Sequence, residues 1–281
     1  MKISIDNILP HLAAAGIPSP RLEARMILAF VLGREADEIH GGEYELVPEQ
    51  EEKLRCLVAR RVSHTPLDKL LGIKDFYKYR FRVNEDVLSP RPDTEILVEA
   101  ALELAWRHKL STVLDLGSGS GCIILSVLAD CPTLTGTAID KSAPALAVAR
   151  ENASLQGVSS RVDFQNMSWF DTDFTAKLAR RYDLIVSNPP YIPAADIPTL
   201  EEEVKAHDPL SALDGGKDGL DHYRRQAEIV PDLLSEKGFV LLEGGIGQAK
   251  DIAALFIAAG LTLVEIKKDL SGIERCIILK K

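Results

Sequence analysis

Apolar positions recur at helical spacing up to about residue 75 and then change to strand-like runs. Leu22, Met26, Ile27, Phe30 and Val31 fall on one face of a helix that Ser19-Pro20 opens and Gly33 stops. Serine is a good N-cap and proline fits the first helical position. Pro48 opens another helix, with Glu49, Glu51 and Glu52 in a first turn that favours negative charge. Leu54, Leu57, Val58 and Val62 form its apolar stripe. Arg60-Arg61 near its end reads either as a binding patch or as compensation of the helix dipole. Residues 1–75 are therefore expected to be a small domain, helical throughout. From Phe76 to Val87 the period shifts to two, with Tyr77, Tyr79, Phe81 and Val83 alternating. That shift predicts a β-hairpin linker over 76–90, with Asn84-Glu85-Asp86 as turn material.

From residue 91 onward short buried strands alternate with helices. Thr112–Leu116, Leu134–Ile139, Arg161–Met167, Tyr182–Ser187 and Phe239–Glu243 read as strands. Helices are expected from Cys122, from Ala143 to Asn152, and from Gln248 to Ala259, the last capped by Gly260. Leu261–Ile266 and Arg275–Leu279 are two further strands, joined by a loop too short for a helical crossover. They must pair antiparallel. The pattern predicts an α/β, Rossmann-like parallel sheet with a reversed last strand over residues 91–281.

Chemistry gathers at the strand ends. Gly117-Ser118-Gly119-Ser120-Gly121 follows the first of these strands and opens a helix, as in a nucleotide-binding βαβ unit. The G-x-G-x-G spacing is tighter than the dinucleotide fingerprint, which seats a pyrophosphate on the helix N-terminus. The tighter form suits a nucleoside without phosphate, such as S-adenosylmethionine; the bland alternative is a plain tight turn. Asp140 ends the next strand, where a carboxylate can accept hydrogen bonds from ribose hydroxyls or, alternatively, cap a helix. Trp169 and Phe170 close the strand after that. An aromatic there lies beside an adenine; the alternative for Trp169 and Phe170 is ordinary core packing, and for Phe170 that is the better reading.

Asn188-Pro189-Pro190-Tyr191 closes the Tyr182–Ser187 strand. A planar NH2 group is a poor nucleophile, because its lone pair is delocalised. To react it must be held with both N–H bonds satisfied. An asparagine oxygen accepts one proton, a main-chain carbonyl the other, and the prolines stiffen the turn. Tyr191 adds a flat apolar face. The competing reading is a simple strand stop. A nucleoside pocket and an amine clamp on consecutive crossovers of one sheet edge are more specific together than either alone. Ahead of them, Asp93 or Thr94 caps the helix that precedes the glycine strand, and Glu95 sits in its first turn.

At 281 residues and 46% hydrophobic, the chain has room for two domains with real cores. A net charge of −9 disfavours non-specific or stable binding to nucleic acid. The four cysteines have no metal-ligand spacing and read as small apolar fillers, so no metal is expected. No apolar run approaches membrane-spanning length and no signal peptide is visible, which reads as a cytoplasmic protein with no membrane partner.

With these residues in hand the chain resembles the HemK family, methyltransferases of the glutamine in peptide-chain release factors. The resemblance covers nearly the whole chain. It is carried by Arg21-Leu22-Glu23-Ala24-Arg25, Phe81-Arg82-Val83, Pro90-Arg91-Pro92-Asp93-Thr94-Glu95, Asp115 to Gly121, Asn188 to Tyr191, and Asp218-Gly219-Leu220. It implies a class I S-adenosylmethionine-dependent methyltransferase that modifies the side-chain amide nitrogen of a Gly-Gly-Gln glutamine, leaving S-adenosylhomocysteine. By matching motif, Gly117, Ser118, Gly119, Ser120, Gly121, Asp140, Trp169 and Asn188 contact the cofactor. Asn188, Pro189, Pro190 and Tyr191 hold the glutamine amide, with Asn188, Pro189 and Tyr191 as the catalytic set. The helical domain is then a docking element for the release factor. In the family an acidic residue usually precedes the aromatic, where this chain has Ser168. Alternatives are an amino-methyltransferase of nucleic-acid bases, which uses the same clamp on a flipped base, and, more remotely, an NAD-dependent oxidoreductase. The latter leaves Asn188 to Tyr191 and the reversed strand unexplained.

Overall fold

A computed structural model describes residues 2–178 and 180–281. The chain separates into two compact units. One comprises the residues up to Ile73 together with Glu201–His207, and the other Lys74–Leu200 with Asp208–Lys281.

The first unit begins with β1 (Lys2–Ile3), α1 (Ile5–Ala14) and α2 (Pro20–Leu32), followed by β2 (Tyr44–Glu45), α3 (Pro48–Val62) and α4 (Leu67–Leu71). It is not helical throughout, because β1 and β2 form a two-residue antiparallel pair. Gly33 ends α2 in the left-handed conformation that its lack of a side chain permits. Ile27 and Val31 enter the core with Ile8, Leu12, Leu28, Leu54 and Leu57, whereas Leu22 is 53% exposed and lies off that stripe. Arg61 is no surface patch. It is 3% exposed, its Nε and Nη2 donate to the Glu23 carboxylate at 2.5 and 3.2 Å, and its Nη1 donates to Glu203 at 2.7 Å.

A hairpin follows, β3 (Ile73–Phe76) and β4 (Tyr79–Arg82), and its turn is Tyr77-Lys78 rather than Asn84–Asp86. Tyr77 has φ of 56°, which reverses the chain earlier than the alternation suggested. The α/β unit continues through α5 (Glu95–His108), β5 (Thr112–Leu116), α6 (Cys122–Asp130), β6 (Thr135–Asp140), α7 (Ala143–Leu155), β7 (Val162–Asn166), α8 (Phe174–Leu178) and β8 (Tyr182–Ser187). The short α9 (Glu202–His207) belongs to the helical unit. The chain then closes the sheet with α10 (Asp221–Leu233), β9 (Leu234–Glu243), α11 (Ala249–Ala258), β10 (Thr262–Lys268) and β11 (Glu274–Lys280).

The seven strands are ordered β10-β11-β9-β8-β5-β6-β7. All pairings from β9 to β7 are parallel, and β11 runs antiparallel to both neighbours, as the short loop required. The central strands are buried on both faces, one core forming around α5 and α6 and the other around α10 and α11. The topology reverses between β5 and β6 on one side and β8 on the other, so the ends of β5, β6 and β8 open onto a single crevice. Cys131 and Cys276 are buried fillers, while Cys56 is exposed. Among the described residues no helix is long and apolar enough to cross a membrane, and no group of side chains is poised to hold a metal ion.

Candidate active site

The loop after β5 is held by its own backbone and by Asp140. Gly117 N and Ser118 N both donate to Ile139 O at 2.9 Å, and Gly121 N donates to Ser118 O at 2.7 Å. One oxygen of Asp140 accepts from Gly119 N at 2.9 Å, the other from Ser142 N at 2.8 Å. The sequence left a choice between a helix-side and a ligand-side carboxylate, and Asp140 here braces both the loop and the start of α7. It also lines the pocket. Behind the loop, buried Asn152 donates to Ser120 O at 2.9 Å and to Arg82 O at 3.0 Å, while Arg82 N donates to its oxygen at 2.6 Å. The hairpin and the glycine loop are thus pinned to one side chain.

A single crevice collects Gly117, Ser118, Gly119, Ser120, Asp140, Trp169, Asn188 and Pro190. The segment 86–91 and Thr94 line another side of it. Gly121, Pro189 and Tyr191 are not among the residues that line it. Gly121 has φ of 80°, and a Cβ there would stand 2.7 Å from Leu125, so it serves the turn and the packing of α6. A Cβ on Gly117 would meet the Trp169 ring at 3.2 Å, whereas one on Gly119 would meet nothing within 4 Å. The loop therefore hugs the indole at one glycine and leaves open space at the next. The indole Nε1 and the Ser118 hydroxyl are buried without a hydrogen-bond partner among the described residues. An open cradle, unused donors and a carboxylate at a strand end fit a nucleoside bearing a polar tail.

Trp169 is set by Arg225, whose Nε donates to its carbonyl at 2.7 Å, and by an edge-on His222 ring at 5.5 Å. Burial first of all depresses the His222 pKa. Phe170, expected in the core, is 52% exposed instead. Its backbone N–H donates to the Ser168 hydroxyl at 3.2 Å, so Ser168 closes this turn. Beneath the glycine loop, Asp115 is fully buried. Burial, aided by the charge of Asp140, pushes its carboxyl up to about 8.

The Asn188–Tyr191 turn is gripped from several sides. Gln248 donates from Nε2 to Tyr191 O at 2.9 Å, and its oxygen accepts from Gly245 N at 2.9 Å. Ile192 bridges the next step, its N–H donating to Leu213 O at 3.1 Å and its carbonyl accepting from Gly215 N at 2.8 Å. Gly215 and Gly219 press directly on the Tyr191 backbone. Asp218-Gly219-Leu220, carried only by resemblance, thereby acquires a physical role. Burial first, then the nearby Glu243, raises the Tyr191 phenol to about 12, so it stays neutral.

Thr94 is the N-cap residue of α5, as one of the two expected, but it makes no side-chain cap bond, and Pro90–Glu95 is engaged in contacts far along the chain. Arg91 donates to Asp208 at 2.7 Å, and Asp93 accepts from Arg275 at 3.1 Å. Asn188 donates from Nδ2 to the Thr94 hydroxyl at 3.3 Å, and Glu95 accepts from Tyr77 N at 2.9 Å. Thr94, Arg275, Gln248 and Glu243 were not named from sequence as site residues, Thr94 having been read as a helix cap. Only the first had a signal there, inside the Pro90–Glu95 segment.

Comparison with known proteins adds an independent line. Residues 92–203 match the Methyltransferase small domain and residues 8–72 the PrmC N-terminal domain. The release factor glutamine methyltransferase of Rhodospirillum rubrum is 44% identical over 278 residues, spanning 99% of this chain and 84% of that protein. The protein of the same name from Caulobacter vibrioides is 42% identical, over 95% of this chain and 92% of that one. Among solved structures, ribosomal protein L11 methylase from Lactobacillus delbrueckii subsp. bulgaricus superposes with a TM-score of 0.48 at 21% identity, covering 71% of this chain and 83% of that one.

Proposed function

The chain belongs to the family of release factor glutamine methyltransferases, and on that premise we propose that it methylates the side-chain amide nitrogen of the Gly-Gly-Gln glutamine in a peptide-chain release factor, using S-adenosylmethionine. The observation that carries this reading is the shared crevice, where Asn188 and Pro190 line the same space as the glycine loop, Asp140 and Trp169.

Gly117, Ser118, Gly119 and Ser120 would hold the cofactor through backbone N–H groups, Asp140 through the ribose hydroxyls, and Trp169 along the adenine. S-adenosylmethionine, when bound, supplies a sulfonium methyl as electrophile. The Asn188 oxygen and the Pro189 carbonyl would each accept one N–H of the substrate amide, which turns its lone pair toward the crevice. The same two acceptors stabilise the positive charge that develops on that nitrogen. Tyr191, neutral and stiffly held, offers its ring face to the flat amide. Asn188–Tyr191 itself supplies no strong base, and none is required, because the nitrogen becomes acidic once alkylated and water can take the proton.

A glutamine between glycines presents little side-chain surface, so affinity must come from a second contact. The helical unit is assigned that docking role. The reaction belongs in the cytoplasm, where release factors work, and neither a membrane nor stable nucleic-acid binding enters it. Family membership sets the oxidoreductase alternative aside.

Mass spectrometry of a release factor incubated with the full-length protein and S-adenosylmethionine tests the proposal. One added methyl on the Gly-Gly-Gln glutamine is expected. Labelling of DNA or RNA with none on the factor would overturn it.

A further inference from the structure

An asparagine amide is nearly symmetric in shape, yet only one of its ends can accept a substrate N–H. Something must decide which end faces the crevice. Asn188 follows β8 directly, and Glu243 is the last residue of β9, the strand paired parallel to it with Ser187 opposite Leu242. The two side chains therefore emerge at neighbouring strand ends. Thr94, 2% exposed at the start of α5, accepts from Asn188 Nδ2 at 3.3 Å, and the side chains of both Thr94 and Asn188 face the Glu243 carboxyl and favour its charged form. Glu243 is itself 2% exposed, and its Oε2 has no hydrogen-bond partner among the described residues.

A threonine hydroxyl has one hydrogen to give. A carboxylate can only accept, so beside ionised Glu243 that hydrogen points to the carboxylate. The hydroxyl oxygen is then left to accept from Asn188, whose NH2 turns inward and whose oxygen turns toward the crevice. Were Glu243 a neutral acid it could donate to Thr94, and Thr94 would be free to donate to the Asn188 oxygen. The amide would then be equally satisfied when flipped, with its NH2 opposing the substrate's own. We propose that Glu243, facing Asn188 directly and through the Thr94 hydroxyl, is the positioning residue that fixes which end of the Asn188 amide meets the substrate. This rests on the clamp role given to Asn188 above.

The surroundings place the changeover near neutrality. Burial drives the Glu243 carboxyl upward; Thr94, Arg275 on β11 and Asn188 pull it down, while Asp93 pushes it up, and the balance stands at about 7. Tyr191 after β8, Tyr223 on α10, Cys122 on α6 and Cys276 on β11 also face it electrostatically. All four are held neutral by their own raised values, so Glu243 is the group of this set that changes charge near pH 7. Tyr223 donates to the main-chain oxygen of Glu243 at 2.6 Å and leaves the carboxyl to Thr94.

The test uses full-length protein with Glu243→Gln, Thr94→Val, their double variant and Thr94→Ser. A glutamine, able to donate or accept, removes the bias while keeping the shape. In wild type, kcat for release-factor methylation should rise with pH through about 7. Glu243→Gln and Thr94→Val should each lower kcat about ten- to hundredfold. In Glu243→Gln the acid limb should vanish and in Thr94→Val it should weaken, while KM for the factor and cofactor affinity stay nearly unchanged in both. The double variant should be no worse than the poorer single one, and Thr94→Ser should restore both rate and pH limb. A second readout needs no turnover: the side-chain amide NMR signal of Asn188 should shift with the same midpoint in wild type and not in Glu243→Gln. A wild-type limb retained in Glu243→Gln, a strictly additive double variant, or an Asn188 signal indifferent to pH would overturn the inference. A wild-type protein that leaves the factor unmethylated, yet shows the Asn188 titration, would instead remove the proposed reaction and keep the relay. Should Glu243→Gln fail to fold, the Thr94 pair and the wild-type titration decide the matter.

Discussion

Replacing Gly219 with alanine should separate turn geometry from simple destabilisation. Gly219 has φ of +79°, and a Cβ there would lie 2.3 Å from Tyr191 O and 2.5 Å from Gln248 Nε2. Both atoms belong to the grip on the clamp, and one is main chain, so about an ångström of clearance must come from moving the Asn188–Tyr191 turn. Left-handed strain costs about 1–2 kcal/mol, and losing the Gln248–Tyr191 bond adds about 1 kcal/mol. A melting temperature lower by about 4–10 °C follows for a chain of this size. A misplacement of that order typically costs about a hundredfold in rate, so kcat should fall by that much while cofactor affinity, measured calorimetrically, changes little. Gly260→Ala is the matched control, because its φ of +95° gives the same strain and its Cβ would meet nothing within 4 Å. It should melt lower but turn over normally. A Gly219→Ala enzyme whose kcat stays within about threefold of the Gly260→Ala control would refute the idea that this glycine positions the clamp.

Asp140→Ala should weaken S-adenosylmethionine binding by about 1.5–3 kcal/mol, seen by calorimetry; unchanged affinity, or tight NAD binding, would end the nucleoside reading of the loop. Asn188→Ala should lose about two to three orders of magnitude in kcat with a near-normal melt, and near wild-type turnover would reduce Asn188 to a strand stop. Stability should fall as pH rises from the ordinary carboxylate range, about 4, to about 8, and then level off. Asp115 and Glu243 carry folded values of about 8 and about 7, above their ordinary carboxylate values, so their favourable contribution is complete at acid pH and is lost as pH climbs through those values. Each group can remove at most about 1.4 kcal/mol per pH unit within its window. Urea denaturation between pH 4 and 9 should show a decline that ends near pH 8 and that Asp115→Asn flattens, and a stability that is flat in wild type would contradict it.

What the sequence disclosed, and what it hid, divide by distance along the chain. The glycine loop, Asp140 and the Asn188–Tyr191 turn each sit at the end of a strand recognisable from its own few residues, and a parallel sheet brings successive strand ends to one edge. Their company was therefore legible. Thr94 lies 94 positions from Asn188, and Asp93 lies 182 from Arg275, so no local pattern announces either contact. The hairpin turn was misplaced because alternation reports which face a residue occupies, while Tyr77 takes its place in the turn with positive φ. Phe170 illustrates the reverse error, in which residue type suggested burial and the Ser168 turn swung the ring outward. Arg61 looked like surface charge until Glu203, 142 residues away, supplied the partner that lets it be buried.

That last contact has a consequence for how such a protein could be recombined. Because Glu201–His207 is counted with the residues up to Ile73, the helical unit is written in two places in the gene. A front segment exchanged between relatives as a cassette would arrive without its own Glu203, leaving a buried guanidinium at position 61 facing whatever the recipient supplied. A shortened chain beginning after Ile73 would carry α9 away from every helix it packs with. Arg61, Glu23 and Glu203 balance one another's charge, and breaking up that trio strands a buried charge, a loss on the order of several kcal/mol.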